Sequence, residues 1–346
     1  MLEALREQVR AATAAGAPLS IRAGGSKDFF GNAGEGERLD PRGCAGIVAH
    51  EPTELVITAR CGTRLAELEA VLDAAGQMLP FEPPHFGAEA TVGGCIAAGL
   101  AGPRRASAGG VRDYVLGVKL LTGRGDLLSF GGTVMKNVAG YDVARLAAGS
   151  LGVLGVITEV SLKVLPKPVT ETTLRLELDE AAALARMNAW AGKPLPISAT
   201  AWRDGALHAR LSGARAAVAD AISRIGGDEV DARAFWRGLR EQSDEFFAGD
   251  LPLWRLALPT TAPPVALPGP HLIEWGGGQR WLRSGAPAEE IRARAAALGG
   301  HATRFRGGER RDVFAPLPPP IAAIHRRLKA EFDPAGIFNR GRMFGG

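Results

Sequence analysis

Cysteine is scarce in this chain of 346 residues, which holds only Cys44, Cys61 and Cys95, far apart from one another. No C-x-x-C pair occurs, which argues against a disulfide scaffold and excludes an iron–sulfur cluster held by this chain alone. The six histidines never fall at an H-x-x-x-H spacing. Since paired histidines on one helix face are a common zinc signature, the sequence predicts no metal site.

Several other signatures are missing. There is no G-x-G-x-x-G, no Walker A motif and no G-x-S-x-G elbow, so Rossmann dinucleotide binding, P-loop chemistry and serine hydrolysis have no support. No apolar run reaches the length that crosses a membrane. The opening "MLEALREQVRAATAAGAPL" is typical of a charged amphipathic helix rather than a signal peptide. We therefore expect a cytoplasmic protein.

The balance of charge excludes little. The formal net charge is +4, and the arginines are interleaved with acids. No basic and aromatic stripe occurs, so we expect no nucleic-acid binding. The sequence does not exclude a basic face that attracts an acidic protein or anionic lipid. With 46% hydrophobic and 23% charged residues, the composition is that of a globular protein with a sizeable core.

Glycine, by contrast, is abundant at 46 residues and clustered. The first cluster, "IRAGGSKDFFG" (21–31), breaks a short apolar run with Gly24-Gly25, followed by Ser26 and Lys27. Paired glycines let backbone amides approach an anion, and the hydroxyl and amine would assist. Two further clusters lie at 91–110 and 149–155. Together they favour a long phosphate-bearing ligand, while simple surface turns remain the alternative.

The pattern of hydrophobic residues predicts an α+β protein. We expect helices at 2–15, 65–75 (with Thr63 as N-cap), near 141–148, and at 321–332. Strands are expected at 19–23, 46–50, 55–59, 115–121 and from 156. Pro166 and Pro168 mark a boundary, beyond which a hairpin turns at Asp204-Gly205 in an antiparallel sheet. The proline-rich stretch 252–270 is expected to be a loop, and the apolar tail around Ile337 and Phe338 to be packed.

Five blocks together, "IRAGGSKDFFG", "ATVGGCIAAGLAGPRR", "GGVRDYVLGV", "VMKNVAGYDVARLAAGSLGVLGVITEV" and "FDPAGIFNRGRMF", resemble the E-type FAD-binding subunits of bacterial glycolate oxidase. That family belongs to the vanillyl-alcohol oxidase and p-cresol methylhydroxylase superfamily. The resemblance implies a PCMH-type FAD-binding domain of two α/β subdomains at 1–168. It also implies a smaller α+β cap domain at 169–305, and a C-terminal segment at 306–346 that returns to the first domain.

The resemblance also implies which residues hold FAD. The first loop would cradle the pyrophosphate and the second would continue along it to the ribose. A third would hold the next turn, a fourth would meet the adenosine, and the tail would return beneath the isoalloxazine. In that order these residues are Ala23, Gly24, Gly25, Ser26 and Lys27; Thr91, Val92, Gly93, Gly94, Ala97 and Gly99; Gly109, Gly110 and Asp113; Gly149, Ser150, Gly152, Gly155, Val156 and Ile157; and Asn339 and Gly341.

Two departures from the family pattern stand out. Ser26 occupies the place of the histidine that binds FAD covalently in some superfamily members, so the resemblance implies non-covalent FAD. Arg340 replaces the usual proline of the tail.

The resemblance also includes a stretch that borders the flavin, which here holds Lys136, Asn137, Tyr141 and Asp142. The alternatives are an ion pair for Lys136 and Asp142 and a packed ring for Tyr141.

The resemblance implies a subunit of a glycolate oxidase or dehydrogenase complex that relays electrons as glycolate, a small 2-hydroxy acid, is oxidised to glyoxylate. Its expected partners are a second FAD-binding subunit and an iron–sulfur subunit, at the inner face of the membrane if the complex associates with it. No catalytic residue can be named, because this chain lacks the histidine cluster of related oxidising subunits. A self-sufficient FAD-dependent 2-hydroxy acid dehydrogenase and a non-catalytic scaffold subunit remain alternatives.

Overall fold

The structure is a computed structural model, and it describes residues 1–133 and 141–343. Within these residues we number ten α-helices and seventeen strands. The helices are α1 (Leu2–Ala15), α2 (Leu65–Ala74), α3 (Val92–Ala98), α4 (Arg105–Ala108), α5 (Val143–Ala147), α6 (Glu180–Ala191), α7 (Arg215–Ile225), α8 (Arg233–Glu241), α9 (Ala288–Ala297) and α10 (Pro319–Phe332). The strands are β1 (Leu19–Ile21), β2 (Glu37–Leu39), β3 (Ile47–Glu51), β4 (Val56–Arg60), β5 (Gln77–Met78), β6 (Val115–Leu121), β7 (Leu127–Gly131), β8 (Val156–Lys163), β9 (Leu165–Pro166), β10 (Thr170–Glu177), β11 (Ile197–Arg203), β12 (Ala206–Gly213), β13 (Asp228–Val230), β14 (Leu253–Ala257), β15 (His271–Glu274), β16 (Gln279–Arg283) and β17 (His301–Arg306).

The N-terminal and C-terminal ends of the chain meet at a small parallel sheet. β1 pairs in parallel with β2, and Phe338 forms a parallel bridge with Leu19 on the other side. Leu19 and Phe338 are fully buried in a cluster that also holds the apolar face of α1. The predicted packing of the tail is therefore confirmed, and the tail fixes the end of β1 where the first glycine loop begins.

A five-stranded antiparallel sheet, in the order β3-β4-β8-β6-β7, forms the second layer of the N-terminal half. The central strand β8 is buried on both faces along most of its length, which explains its nearly continuous apolar sequence. Its side chains pack with those of α2 and α3 in the largest apolar cluster. The glycine loops at 91–99 and 149–155 both connect elements of this layer.

Strands from the second half of the chain form an eight-stranded antiparallel sheet, in the order β13-β10-β12-β11-β15-β16-β14-β17. The hairpin predicted at Asp204-Gly205 joins β11 to β12. Helices α6 and α7 cover the end of this sheet that holds β10 to β12, and α9 covers β14, β16 and β17. The other face of the sheet, which we call its inner face, packs against the glycine-loop half of the protein.

Contacts across that inner face are both apolar and ionic. Phe30, Leu100 and Leu151 share one buried cluster with Trp281 and Phe305 of the eight-stranded sheet. Beside it, an ion network joins the two halves: Glu82 accepts from Arg210 Nη2 at 2.8 Å, and Arg104 Nη2 reaches Glu171 at 2.9 Å. The charges in the network compensate one another where water is largely excluded.

Two predictions about elements were wrong. The stretch 252–270 is not all loop, because Leu253–Ala257 forms strand β14 in the eight-stranded sheet. Thr63 does not cap α2: its Oγ1 accepts from the amide of Gly46 at 2.8 Å, and Arg64 is the N-cap. The hydroxyl thus ties the start of α2 to the turn before β3.

In the described residues, no helix is both long and apolar enough to cross a membrane.

Candidate functional site

The first glycine loop follows β1 and holds backbone amides that have no acceptor among the described residues. Asp28 donates to Gly25 O and Phe30 to Lys27 O, whereas the amides of Gly24, Gly25 and Ser26 meet no acceptor in the described parts of the chain. A Cβ on Gly24 would lie 1.6 Å from the carbonyl oxygen of Glu89, so only glycine fits there. Such a run of unpaired amides forms an anion cradle.

Lys27 supplies the positive charge of this loop. Its Nζ donates to the carbonyl of His85 at 3.1 Å and lies 5.6 Å from the centre of the Phe86 ring. Burial lowers the pKa of Lys27, while the nearby Cys95 and Glu241 act in the opposite direction. None of these contacts neutralises the amine, so its charge could also meet a phosphate oxygen.

The second loop differs, because its amides are already engaged. Thr91 caps α3 through a 3.2 Å bond from the amide of Gly94. The amide of Val92 donates to Thr63 O at 2.9 Å, and that of Gly93 to Cys61 O at 2.8 Å. These predicted residues can offer a ligand their close-packed backbone surface rather than free donors. The predicted pyrophosphate donors therefore concentrate in the first loop.

The second and fourth loops touch each other directly. Gly149 donates to Ile96 O at 2.9 Å and Leu151 donates to Ala97 O at 2.8 Å. Gly99 has a φ of +64°, and a Cβ on it would lie 2.8 Å from the Cα of Gly149. The structure thus brings the predicted residues of both loops together, and the side of Gly149 where a Cβ would point is open.

The remaining residues of the fourth loop lead into the core. Ser150 is buried, and Gly152 packs against Asn339. Val156 and Ile157 begin β8, where they pair with Leu121 and Leu120 and are buried at 1% and 6% exposure. These two side chains hold the loop in place rather than facing an open surface.

Asp113 closes the third loop, since its Oδ2 accepts from the amide of Gly110 at 2.8 Å. A Cβ on Gly109 would come within 2.9 Å of the same oxygen. The three residues form one compact turn before β6. Gly110 and Asp113 bond to each other, and the amide of Gly109 donates to Arg105 O at 2.9 Å, which gives this loop a structural role in the arrangement.

In the tail, Asn339 joins three segments of the site. Its Oδ1 accepts from the amide of Ile21 at 2.7 Å, and its Nδ2 donates to Leu151 O at 2.6 Å. The first loop, the fourth loop and the tail are therefore locked to one another. Gly341 follows closely, and its carbonyl accepts from Asn32 at 2.9 Å. Arg340, in place of the family's proline, donates to Gly336 O at 2.6 Å and Gly16 O at 3.0 Å.

Lys136 and Asn137 lie outside the described residues. Tyr141 is 96% exposed, so the packed-ring alternative for it is wrong. Asp142 accepts from the amide of Arg145 at 3.1 Å and caps α5.

Sequence reasoning missed Arg255, which the structure places beside the loop that follows Gly99. It lies on β14, in the stretch that was expected to be a loop, and it lines a cleft with Leu100, Gly102 and Trp281. The alternation "LWRLA" was the available signal, because it places the arginine opposite the two flanking apolar side chains. No group of three or more potential metal ligands occurs in the described residues.

The first loop thus forms an anion cradle, on a fold that this chain shares with solved structures. A family model described as an FAD binding domain matches residues 2–145. A solved structure of alkyldihydroxyacetonephosphate synthase superposes with a TM-score of 0.67 and 15% identity, covering 97% of this chain and 75% of that one, which shows the fold. The protein is accordingly an FAD-binding protein of the α+β, PCMH-type class.

Among curated proteins, glycolate oxidase subunit GlcE of Escherichia coli (strain K12) is 51% identical over 342 residues, which is 99% of this chain and 97% of that protein. The chain belongs to the family of that subunit. Glycolate oxidase subunit GlcD of Bacillus subtilis (strain 168) is 34% identical over 154 residues, or 44% of this chain and 33% of that protein. The predicted family, the predicted fold class and FAD as the cofactor are confirmed.

Proposed function

We propose that this chain is the FAD-binding subunit of a glycolate-oxidising complex and holds its FAD without a covalent bond. The observation that carries the proposal is the first glycine loop, where unpaired amides, a serine hydroxyl and a buried lysine amine lie together. This donor set fits the two negative charges of a pyrophosphate, because backbone donors can approach it without steric hindrance. The family relationship reported above supports the same cofactor.

Each loop would contact a different part of FAD. Ala23 to Lys27 would take the pyrophosphate, the packed backbone of 91–99 would support the ribose, and Gly149 would border the adenosine. Ser26 has no ring nitrogen with which to form the covalent bond that histidine makes elsewhere in the superfamily. When bound, FAD supplies a two-electron acceptor, and the protein supplies orientation and electrostatics.

The scarcity of cysteine supports the proposed partners. Cys44, Cys61 and Cys95 are all buried and free, and burial raises the pKa of Cys95 to about 12. Thiols in this state are poor ligands for iron, so an iron–sulfur cluster of the proposed complex would lie in another subunit. Two relatives are named as different subunits of glycolate oxidase, which supports a second FAD-binding subunit. Membrane association would come through the assembled complex.

A self-sufficient 2-hydroxy acid dehydrogenase is the second candidate, and Arg255, a cation that lines a cleft beside the loop that follows Gly99, favours it. A scaffold that has lost its flavin is disfavoured, because it would have no reason to keep the amides of the first loop free.

The decisive experiment adds glycolate without oxygen to the FAD-loaded chain, alone and after co-purification with its partner subunits. The proposal predicts that the flavin absorption stays unchanged in the isolated chain and is bleached in the complex. Bleaching in the isolated chain would instead establish the second candidate. A chain that purifies without flavin, takes up no added FAD and still assembles with its partners would establish the scaffold.

A further inference from the structure

The two large sheets have four outer strands, and three of these are protected against pairing with another chain. In the eight-stranded sheet, β13 is only three residues long and carries Asp228 and Glu229. At the other end of that sheet, β17 is covered where Arg304 N donates to Val313 O at 3.0 Å. In the five-stranded sheet, β3 contains a bulge that begins at Ile47. Short length, charge, bulges and covering segments are the usual devices that protect an edge.

The fourth outer strand, β7, has none of these devices within the described parts of the chain. Its sequence, Leu-Leu-Ser-Phe-Gly, contains no charged residue and no proline. It pairs with β6 over all five residues without a shift in register. The side chain of Leu128 is 41% exposed on this strand, and Ser129 beside it is exposed as well. A regular, uncharged and partly apolar edge is a template on which another strand can pair.

The backbone of β7 presents hydrogen-bonding groups on the side that faces away from β6. At one end of the β6–β7 ladder, Gly132 N donates to Leu116 O at 3.2 Å. Since bonded and outward-facing residues alternate along an antiparallel ladder, Phe130 bonds toward β6, whereas Leu127 and Ser129 direct their N–H and C=O groups outward. Residues 1–133 and 141–343 supply no partner for these outward groups. They are therefore available to a strand from outside this chain.

We propose that β7 pairs with β7 of a second copy of this chain, antiparallel and about a two-fold axis. Two identical edges are self-complementary in this arrangement, because each strand offers N–H groups opposite the C=O groups of its copy. Since β7 carries no charge, the two copies meet without like-charge repulsion. The pairing would also remove the exposed Leu128 of each copy from water. It would join two five-stranded sheets into one sheet of a size that open sheets reach.

A groove beside β7 would add to the contact area. It lies on the face of the five-stranded sheet that carries Thr58, Ser129 and Ser161, and its volume is about 300 Å³. Its two charged side chains, Lys119 and Glu159, form an ion pair at 2.9 Å, so the groove adds no uncompensated charge. One pair of short strands covers only part of the roughly 1,200 Å² that a stable interface buries. Side chains of the copy that enter the groove would contribute further area.

The test measures the mass of the purified full chain by light scattering over a range of concentrations, for the unaltered protein and for Ser129→Glu. In the register of β6 and β7, residue 129 lies opposite Lys119, so the new carboxylate has a partner within its own chain and the fold should be retained. The exposed Ser223→Glu on α7 is the matched control. We expect Ser129→Glu to raise the dissociation constant of the dimer about 10-fold or more, through repulsion between the two copies, and Ser223→Glu to leave it unchanged.

A second variant, Ser129→Pro, removes the outward N–H without adding charge. Proline is tolerated on an edge strand where its missing N–H faces away from the neighbouring strand, so this variant should fold and should also weaken the dimer. Thermal unfolding of all three variants shows whether the fold is retained. Hydrogen exchange then locates the contact, because the amides of Leu127 and Ser129 should exchange more slowly as rising concentration fills the dimer.

Three results would overturn the proposal. The first is a chain that stays monomeric at every concentration, including one that assembles only with a different protein. The second is a dimer that folded Ser129→Glu and Ser129→Pro weaken no more than Ser223→Glu does. The third is a dimer in which exchange of the β7 amides does not depend on concentration, since the copies would then meet through another surface.

Discussion

At the scale of single residues, the first loop depends on Lys27. Its Nζ donates to the carbonyl of His85 and to the hydroxyl of Ser26, so we predict that Lys27→Gln weakens FAD binding about 10-fold, or about 1.4 kcal/mol, through loss of a charge-assisted contact. The exposed Lys193→Gln is the matched control and should bind FAD normally. Titration of the apoprotein with FAD, followed by flavin fluorescence, measures both. Equal affinities for the two variants would remove Lys27 from the cofactor site.

Glu274 is a residue whose charge depends on pH within the neutral range. Burial raises its pKa to about 7, against the smaller opposing effect of hydrogen bonds from Trp281 and Gln279. Since the folded-state pKa lies above the unfolded value of 4.5, the folded state holds more protons between the two values. The stability that Glu274 contributes is complete below pH 4.5 and falls as pH rises to about 7, by up to about 3 kcal/mol.

The variant Glu274→Gln should remove this dependence while keeping an oxygen that accepts from Trp281. We predict that the urea midpoint of the unaltered protein falls more between pH 5 and pH 8 than that of Glu274→Gln. Other titrating groups affect the urea midpoints of both proteins equally, so the difference between the two pH profiles reports on Glu274 alone. Parallel pH profiles would show that Glu274 does not titrate in this range.

At the scale of elements, the tail holds the loops through Asn339. Removing its side chain would leave the buried amide of Ile21 and the carbonyl of Leu151 without partners. We predict that Asn339→Ala lowers the free energy of unfolding by about 2–6 kcal/mol, at about 1–3 kcal/mol for each of the two orphaned groups. Gln8→Ala is the control, because Gln8 makes two exposed hydrogen bonds, and should change stability by less than about 0.5 kcal/mol. Urea unfolding measures the free energy of unfolding of both variants. Equal losses of stability in the two variants would contradict the role given to Asn339.

Elements with strong periodicity could be predicted from the sequence. α1 has the predicted bounds, and β6 has them as well, because a run of apolar residues with clear ends leaves few alternatives. β14 could not be predicted, since prolines and glycines surround five residues that become a strand only by pairing with β16 and β17. Long-range pairing of this kind leaves little local signal.

The candidate site, like the elements, could be predicted from the sequence only in part. The glycine loops carry a local signal, and the structure brings the second loop, the fourth loop and the tail into contact. The sequence alone could not show that the amides of Val92 and Gly93 are engaged by Thr63 and Cys61, because those partners come from a separate segment. Arg255 was missed for the same reason: its position beside the loop that follows Gly99 results from the register of β14 in the sheet and from the packing of the two halves of the chain.

At the scale of the whole molecule, the ion network around Glu82 joins the glycine-loop half to the eight-stranded sheet. Burial alone would raise the pKa of Glu82, but Arg210 and Arg104 outweigh it and hold the pKa below its ordinary value. We predict that Glu82→Gln lowers the free energy of unfolding by about 3–5 kcal/mol, because it leaves two buried guanidinium groups undercompensated.

The control for Glu82→Gln is Glu177→Gln, whose side chain is 70% exposed in its ion pair with Arg175 and should matter by less than about 1 kcal/mol. Calorimetric unfolding of both variants provides the comparison. A Glu82→Gln protein as stable as Glu177→Gln would show that the network does not hold the two halves together.

The central claim is that this chain binds FAD without a covalent bond, and the visible absorption spectrum of the purified chain tests it most directly. The account predicts an oxidised-flavin spectrum, with all of the flavin released into the supernatant when the protein is denatured and precipitated. A colourless chain that takes up no added FAD would contradict FAD binding. A flavin that stays with the precipitated protein would contradict the non-covalent attachment that Ser26 implies.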